Sequence, residues 1–230
     1  MDQQFKELHV LVVFPHPDDE TFGCGGTIAL FAKAGVPVTY ACGTLGEMGR
    51  NMGRPPFATR ESLARIREAE LDGACAALGI RRLIKLGLRD KTIEFEDQAV
   101  LVDRIERTIR DIRPSLMITH YPGYAVHPDH NALGEAAIRA AARLSKEERP
   151  VVYAHALSQD ALSTPDIVRD ISSVREVKVG AIRAHRSQSG IALATLEDGD
   201  GPLNDPAMNA RIRSLLEREV FWTYPMSMPR

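Results

Sequence analysis

The chain reads as an α/β sandwich on a mostly parallel sheet, and two observations carry that reading. Short apolar, β-branched runs alternate with longer stretches of helical periodicity. The short runs are nearly unbroken in hydrophobicity, as expected of strands covered on both faces. With 230 residues, 44% of them hydrophobic and 26% charged, the chain suits a single domain over 1–230 with a sizeable core.

"HVLVVF" (His9 to Phe14) predicts the first strand, and the helix behind it runs from Glu20 to Ala34, with Gly35 as its stop. "VPVTYAC" (Val36 to Cys42) predicts a second strand, followed by a helix from Arg60 to Leu78 that ends at Gly79. "RLIKLG" (Arg82 to Gly87) is a third strand. Leu101, Ile105, Ile109 and Ile112 mark one face of a helix that Pro114 terminates. "SLMITH" (Ser115 to His120) and "VVYAHA" (Val151 to Ala156) are strands around an alanine-rich helix from Asp129 to Leu144. Helices are expected over Val174 to His185 and Pro206 to Glu219, the second capped by Asp205, with "VFWTY" (Val220 to Tyr224) as a final strand. This order predicts a Rossmann-like three-layer sandwich with right-handed crossovers and an active site at the carboxyl ends of the strands. The irregular stretches Thr44 to Thr59 and Ser187 to Asp205 are long enough to be active-site loops.

A net charge of −2 argues against a duplex-binding surface or an anionic-membrane binder. No apolar run approaches the roughly 18–20 residues that span a bilayer, and "MDQQFKELHV" has no signal-peptide pattern. Cys24, Cys42 and Cys75 form no CxxC pair and are odd in number, which fits a reducing compartment. A cytoplasmic protein is expected, acting on a small molecule, engaging neither nucleic acid nor membrane, and assembling as a homo-oligomer. Cys24 lies beside an acidic cluster, but a small buried side chain is the preferred reading over a ligand.

Two clusters carry chemistry. "HPDDE" (His16 to Glu20) follows the first strand, and "HPDH" (His127 to His130) follows the "SLMITH" strand after a short loop. Both land on the rim where ligands of open α/β sheets sit. Together they supply the two histidines and one carboxylate that a catalytic zinc needs, with a carboxylate left over to take a proton from water. A lone His-Pro-Asp is equally well a turn with a capping aspartate; two on one rim favour a site. Gly23, Gly25 and Gly26 do not make a dinucleotide loop, because G-x-G-x-x-G would need glycine at Ile28. They are expected to permit close helix packing.

With "PHPDDE", "HPDH", "TLGEMGRN", "RIREAELDGACAALGI", "GLRD" and "AIRAHRSQ", the chain resembles the PIG-L/LmbE-like metal-dependent N-deacetylases from about residue 8 to 190. "GEMGRNMGRPPFATRESL" looks most like the members that deacetylate N-acetylglucosaminyl malate in bacillithiol biosynthesis. The resemblance implies one Zn2+ per chain, with Fe2+ or another divalent ion as alternatives, held by His16, Asp19 and His130. Asp18 becomes the general base, His127 the oxyanion stabiliser, and Asp129 the residue that holds the His127 ring. It also points to Arg67 and Glu70, which read equally as a surface i, i+3 pair, to Asp90 as a partner for a sugar hydroxyl, and to His185. Some relatives carry a tyrosine where this chain has Ala125; Tyr121 and Tyr124 are out of register with it.

Arg50 and Arg54 lie in the first long loop and Arg60 immediately after it, three arginines within eleven positions. Their planar forks suit the two carboxylates of a malyl group, with Arg60 favoured because it opens a helix. The rival readings are an amidase for bacillithiol S-conjugates and a sugar- or metal-binding module without turnover. Retention of Asp18 and His127 speaks against the second.

Overall fold

A computed structural model describes residues 5–158, 162–190, 192–194, 210 and 214–226. Its elements are β1 (Val10–Phe14), α1 (Asp19–Lys33), β2 (Val38–Cys42), α2 (Leu63–Leu78), β3 (Arg82–Lys85), α3 (Gln98–Ile112), β4 (Leu116–His120), α4 (Pro128–Ala142), β5 (Val151–His155), β6 (Ile167–Asp170), α5 (Arg175–Ala184) and β7 (Arg218–Thr223). Short 3-10 turns occupy Ile93–Phe95 and Ser172–Val174. One seven-stranded sheet runs β3-β2-β1-β4-β5-β7-β6. The first five strands are mutually parallel, whereas β7 is antiparallel to both β5 and β6.

The pleat sends alternate residues of β1 to opposite faces, and both faces are covered. Val10, Val12 and Phe14 join Ile28, Phe31, Leu71 and Leu78 of α1 and α2. Leu11 and Val13 meet Ile105, Ile109, Leu133 and Ala137 of α3 and α4. Each fully buried side chain of this size contributes roughly 1.5–3 kcal/mol. The three-layer expectation holds, with β3 as a partly exposed edge rather than a doubly covered strand.

Three expectations change. The second helix begins at Leu63 rather than Arg60, because Thr59 and Ser62 bond to one another's backbone and side-chain groups in a turn. Arg218 and Glu219, expected at the end of a helix, belong to β7. Half of that expected helix, 206–209 and 211–213, lies outside the described residues, as does its expected cap Asp205. Strand β6 was not anticipated, since its four residues alternate between exposed and half-buried.

Glu219 also explains a kink in α1. Cys24 leaves helical geometry at φ −150°, and the amides of Gly26 and Thr27 donate to the Glu219 carboxylate at 2.8 and 2.7 Å. Buried Lys178 completes the arrangement, donating to Glu219 at 2.6 Å. Cys24 is a buried, free thiol at this bend. Close packing by glycine is real at Gly26, where an added Cβ would lie 2.5 Å from Ile171. Among the described residues, no helix is long and apolar enough to cross a membrane.

Candidate metal centre

The carboxyl ends of β1 and β4, adjacent in the sheet, deliver the two clusters to one place. His16 leaves β1 after Pro15, and the Tyr40 hydroxyl donates to its carbonyl at 2.9 Å. His130 sits in the first turn of α4, which opens with Pro128. His16 Nδ1 lies 3.1 Å from His130 Nε2 and 3.4 Å from Asp19 Oδ2, and His130 Nε2 lies 3.2 Å from Asp19 Oδ1.

The outer ring nitrogens decide what the inner ones do. His130 Nδ1 faces the Ala125 carbonyl at 3.0 Å, which assigns its proton there and leaves Nε2 bare. His16 Nε2 faces Asp129 at 3.2 Å and Asp90 at 3.1 Å, which leaves Nδ1 bare in the neutral ring. Two lone pairs 3.1 Å apart beside a carboxylate repel, so the arrangement calls for a shared proton or a cation. The charges agree. Burial opposes the charged forms of all three groups, yet the acidic neighbours raise His16 and His130, and the histidines hold Asp19 well below the usual carboxylate range. Two imidazoles and a carboxylate oxygen fit a divalent ion such as zinc.

A second grouping, His16 with His127 and Asp129, is also close enough to share an ion. Its donors are already engaged. The Asp129 carboxylate accepts the Lys91 and Ile93 amides, at 2.6 and 3.1 Å, and His127 Nδ1 accepts the Asp129 amide at 3.1 Å as the cap of α4. The first trio is therefore the better cation site. The expected clasp of Asp129 on the His127 ring is replaced by this backbone bond, and the Asp129 side chain supports His16 instead.

Asp18 and His127 share a cleft of about 480 Å³ with the trio. Asp18 caps α1 in a left-handed conformation, φ 99°. Burial is the main force that pushes its carboxyl up to about 6; Asp19 and Glu20 add to this, while Arg67 and His185 oppose it. His127 is lowered by burial and by the charges of His16 and His130. A larger cavity of about 770 Å³ also touches Asp19, beside His120 and His155, but contains neither Asp18 nor His127. Asp18 and His127 meet the trio in the smaller cleft.

Several residues expected at the substrate turn out to support the site. Arg67 is 3% exposed; it donates to Asp18 Oδ2 at 3.1 Å and to the Gly46 carbonyl at 2.8 Å. Gly46 is obligatory there, at φ 62° and with the guanidinium where a Cβ would stand. Glu70 is not paired with Arg67 on a surface; it is buried and accepts the Ser187 amide and hydroxyl, both at 2.7 Å. Asp90, 4% exposed, is committed to His16 and the Met48 amide rather than free for a sugar. His185 is fully buried against Glu20 at 2.8 Å. Arg60 donates to the carbonyls of Glu47 and Gly49, both at 2.9 Å, so it braces the loop. Arg54 is exposed and stands next to Gly190, apart from the cleft lining. Of the three loop arginines, Arg50 alone lines the cleft, where Lys91 joins it. Tyr121 and Tyr124 pack edge to face, with Tyr121 also against Trp222 and Tyr224.

Glu20, Lys91 and His120 escaped the sequence reading. Glu20 was visible in "PHPDDE", yet its acceptance of the Asp18 amide at 3.0 Å and its bond to His185 depend on the fold.

Comparison with known proteins agrees with this geometry. The probable N-acetyl-alpha-D-glucosaminyl L-malate deacetylase 2 of Bacillus cereus is 52% identical over 221 residues, covering 95% of this chain and 98% of its own. Its Bacillus subtilis counterpart is 50% identical over 219 residues, covering 94% and 97%. Among solved structures, the N,N'-diacetylchitobiose deacetylase of Pyrococcus horikoshii superposes with a TM-score of 0.71 at 25% identity, over 96% of this chain and 85% of that one. The profile of the GlcNAc-PI de-N-acetylase family spans residues 11–141, more than half of the chain and both histidine clusters, and the chain belongs to that PIG-L family.

Proposed function

We propose that this chain is a zinc-dependent hydrolase that removes acetate from N-acetylglucosaminyl malate. The observation that supports it most is one cleft holding the His16, Asp19 and His130 trio beside Asp18 and His127, in a chain half identical to malate-conjugate deacetylases along nearly its whole length. When bound, the ion supplies Lewis acidity and lowers the pKa of water towards about 7.

The chain's own groups do the rest. Asp18, poised at about 6 and steadied by Arg67, takes the proton of the attacking water. His127 has its proton assigned to Nε2, because Nδ1 accepts an amide, so Nε2 donates to the amide oxygen as charge develops. Arg50 and Lys91, both on the cleft, meet the malyl carboxylates.

The test compares kcat/KM for acetate release from the malyl conjugate and from the neutral methyl glycoside of the same sugar. The wild type should favour the malyl compound by about 10–100-fold, the worth of a charged hydrogen bond. Arg50→Met should erase most of that preference while slow turnover of the methyl compound persists. Equal values in the wild type would remove the case for an anionic aglycone.

A further inference from the structure

His120 ends β4 and takes no part in lining the cleft. It is 2% exposed, yet among the described residues neither ring nitrogen has a hydrogen-bond partner. Folded proteins bury few such groups, so an orphaned imidazole at the wall of the larger cavity needs a reason.

The packing around it supplies one. Its ring tilts against Phe14 at 4.4 Å and lies nearly parallel to the His130 ring, with centroids 4.1 Å apart and an interplanar angle of 18°. Gly134 allows that stack: a Cβ there would stand 2.7 Å from the His120 carbonyl oxygen, so α4 can settle directly on the end of β4. His120 Nε2 is left 3.8 Å from Asp19 Oδ2. The same oxygen accepts the His16 amide at 2.9 Å, while Oδ1 faces His130.

We infer that His120 is a positioning residue for the divalent ion, restraining Asp19 through Oδ2 and backing the His130 imidazole with its ring face. The inference rests on the proposed ligand trio. Ligands of a metal are generally oriented by outer partners. His16 has Asp129 and Asp90 for this, and His130 has the Ala125 carbonyl. Asp19 has the His16 amide on one side, and His120 stands on the other.

The experiment uses protein stripped by a chelator, then titrated with Zn2+ against a chromophoric competitor, alongside Tm of the stripped protein. His120→Phe keeps the stacked ring and loses the N–H; His120→Gln restores a donor at similar reach. His120→Phe should leave Tm unchanged or raised, because an orphaned polar group is gone, while zinc affinity falls about 10–100-fold. His120→Gln should recover most of that loss, and the visible bands of the cobalt-substituted protein should shift in the Phe variant. Wild-type affinity in His120→Phe overturns the inference, as does a joint fall of Tm and affinity in both variants, the mark of a purely structural role. His130→Ala separates the two levels. If it loses zinc while His120→Phe does not, only the role of His120 fails; if it too keeps wild-type affinity, the ligand trio fails with it.

Discussion

In the loop after β1 the histidine of the trio is backed by carboxylates, whereas in the loop after β4 it is backed by a backbone carbonyl. His16 Nε2 meets Asp129 and Asp90, while His130 Nδ1 meets the oxygen of Ala125. The two loops share a His-Pro-Asp spelling, yet their remaining polar groups diverge further. The first adds a strained, partly buried acid, Asp18, surrounded by charges of both signs. The second adds a neutral imidazole, His127, which caps the following helix with its own ring nitrogen. In the proposed reaction, similar local sequence therefore supplies the proton acceptor on one side of the cleft and the proton donor on the other, and the neighbours brought by the fold make the difference.

The largest effect should come from removing the acceptor. Asp18→Asn preserves shape and still faces Arg67, but cannot take a proton. Metal content should stay near wild type while kcat falls by about 10²–10⁴-fold, the range for loss of a general base. Elemental analysis and steady-state kinetics on one preparation check both. If Asp18→Asn empties the site and Asp19→Asn leaves it filled, the roles of the two aspartates are exchanged.

A smaller effect tests the backing of the two histidines. Asp129→Asn removes a negative charge from beside His16 Nε2 and keeps the Oδ1 acceptor for the Ile93 amide, while the Lys91 amide and His16 Nε2 lose the Oδ2 acceptor they share. Zinc affinity should drop about 10–100-fold, as for outer-partner substitutions elsewhere. The second loop has no matching side-chain substitution, because its backing group is a peptide carbonyl. Unchanged affinity in Asp129→Asn would mean that Asp90 alone suffices and that the asymmetry between the loops has no energetic content.

The layer architecture and the meeting of both loops on one rim were legible because strand and helix periods are properties of local sequence. Partners of long side chains were not. Arg60 looked well placed for a carboxylate, but the carbonyls of Glu47 and Gly49 that receive it are displayed by the path of the loop, which no periodicity encodes. Arg67 and Glu70 have the spacing of a surface pair, yet α2 turns both inward to bind segments far along the chain. His120 was read only as the end of a strand; its relation to Asp19 and His130 exists only after α4 packs on β4. Glu219 reads as the end of a helix opened by Asp205 and Pro206, whereas it lies in β7 and accepts the two amides that the kink at Cys24 exposes.

The smallest prediction concerns strain, which both loops contain. Asp18 at φ 99° and Val126 at φ 62° are non-glycine residues in the left-handed region, one in each loop. At Asp18 the side chain is needed, so glycine would relieve the backbone and remove the base. At Val126 the side chain is 73% exposed. Its backbone is what matters: the His127 amide reaches back to the Ala125 carbonyl at 2.6 Å, and that same carbonyl receives His130 Nδ1. A β-branched residue in this conformation costs about 1–2 kcal/mol, whereas glycine adds back roughly 0.5–1 kcal/mol of unfolded-state entropy. Val126→Gly should therefore gain about 0.5–1 kcal/mol, a rise of roughly 1–4 °C in Tm for a chain of this size. The tight turn is compatible with glycine, so His127 and His130 keep their partners and kcat/KM should stay within about twofold of wild type, by the additivity expected when no contact is lost. Thermal denaturation and acetate release on the same variant read both quantities. A fall in Tm would show that Val126 makes contacts that outweigh its backbone cost. A rise in Tm with a large loss of kcat/KM would show that the valine itself, rather than the turn it occupies, is used at the mouth of the cleft.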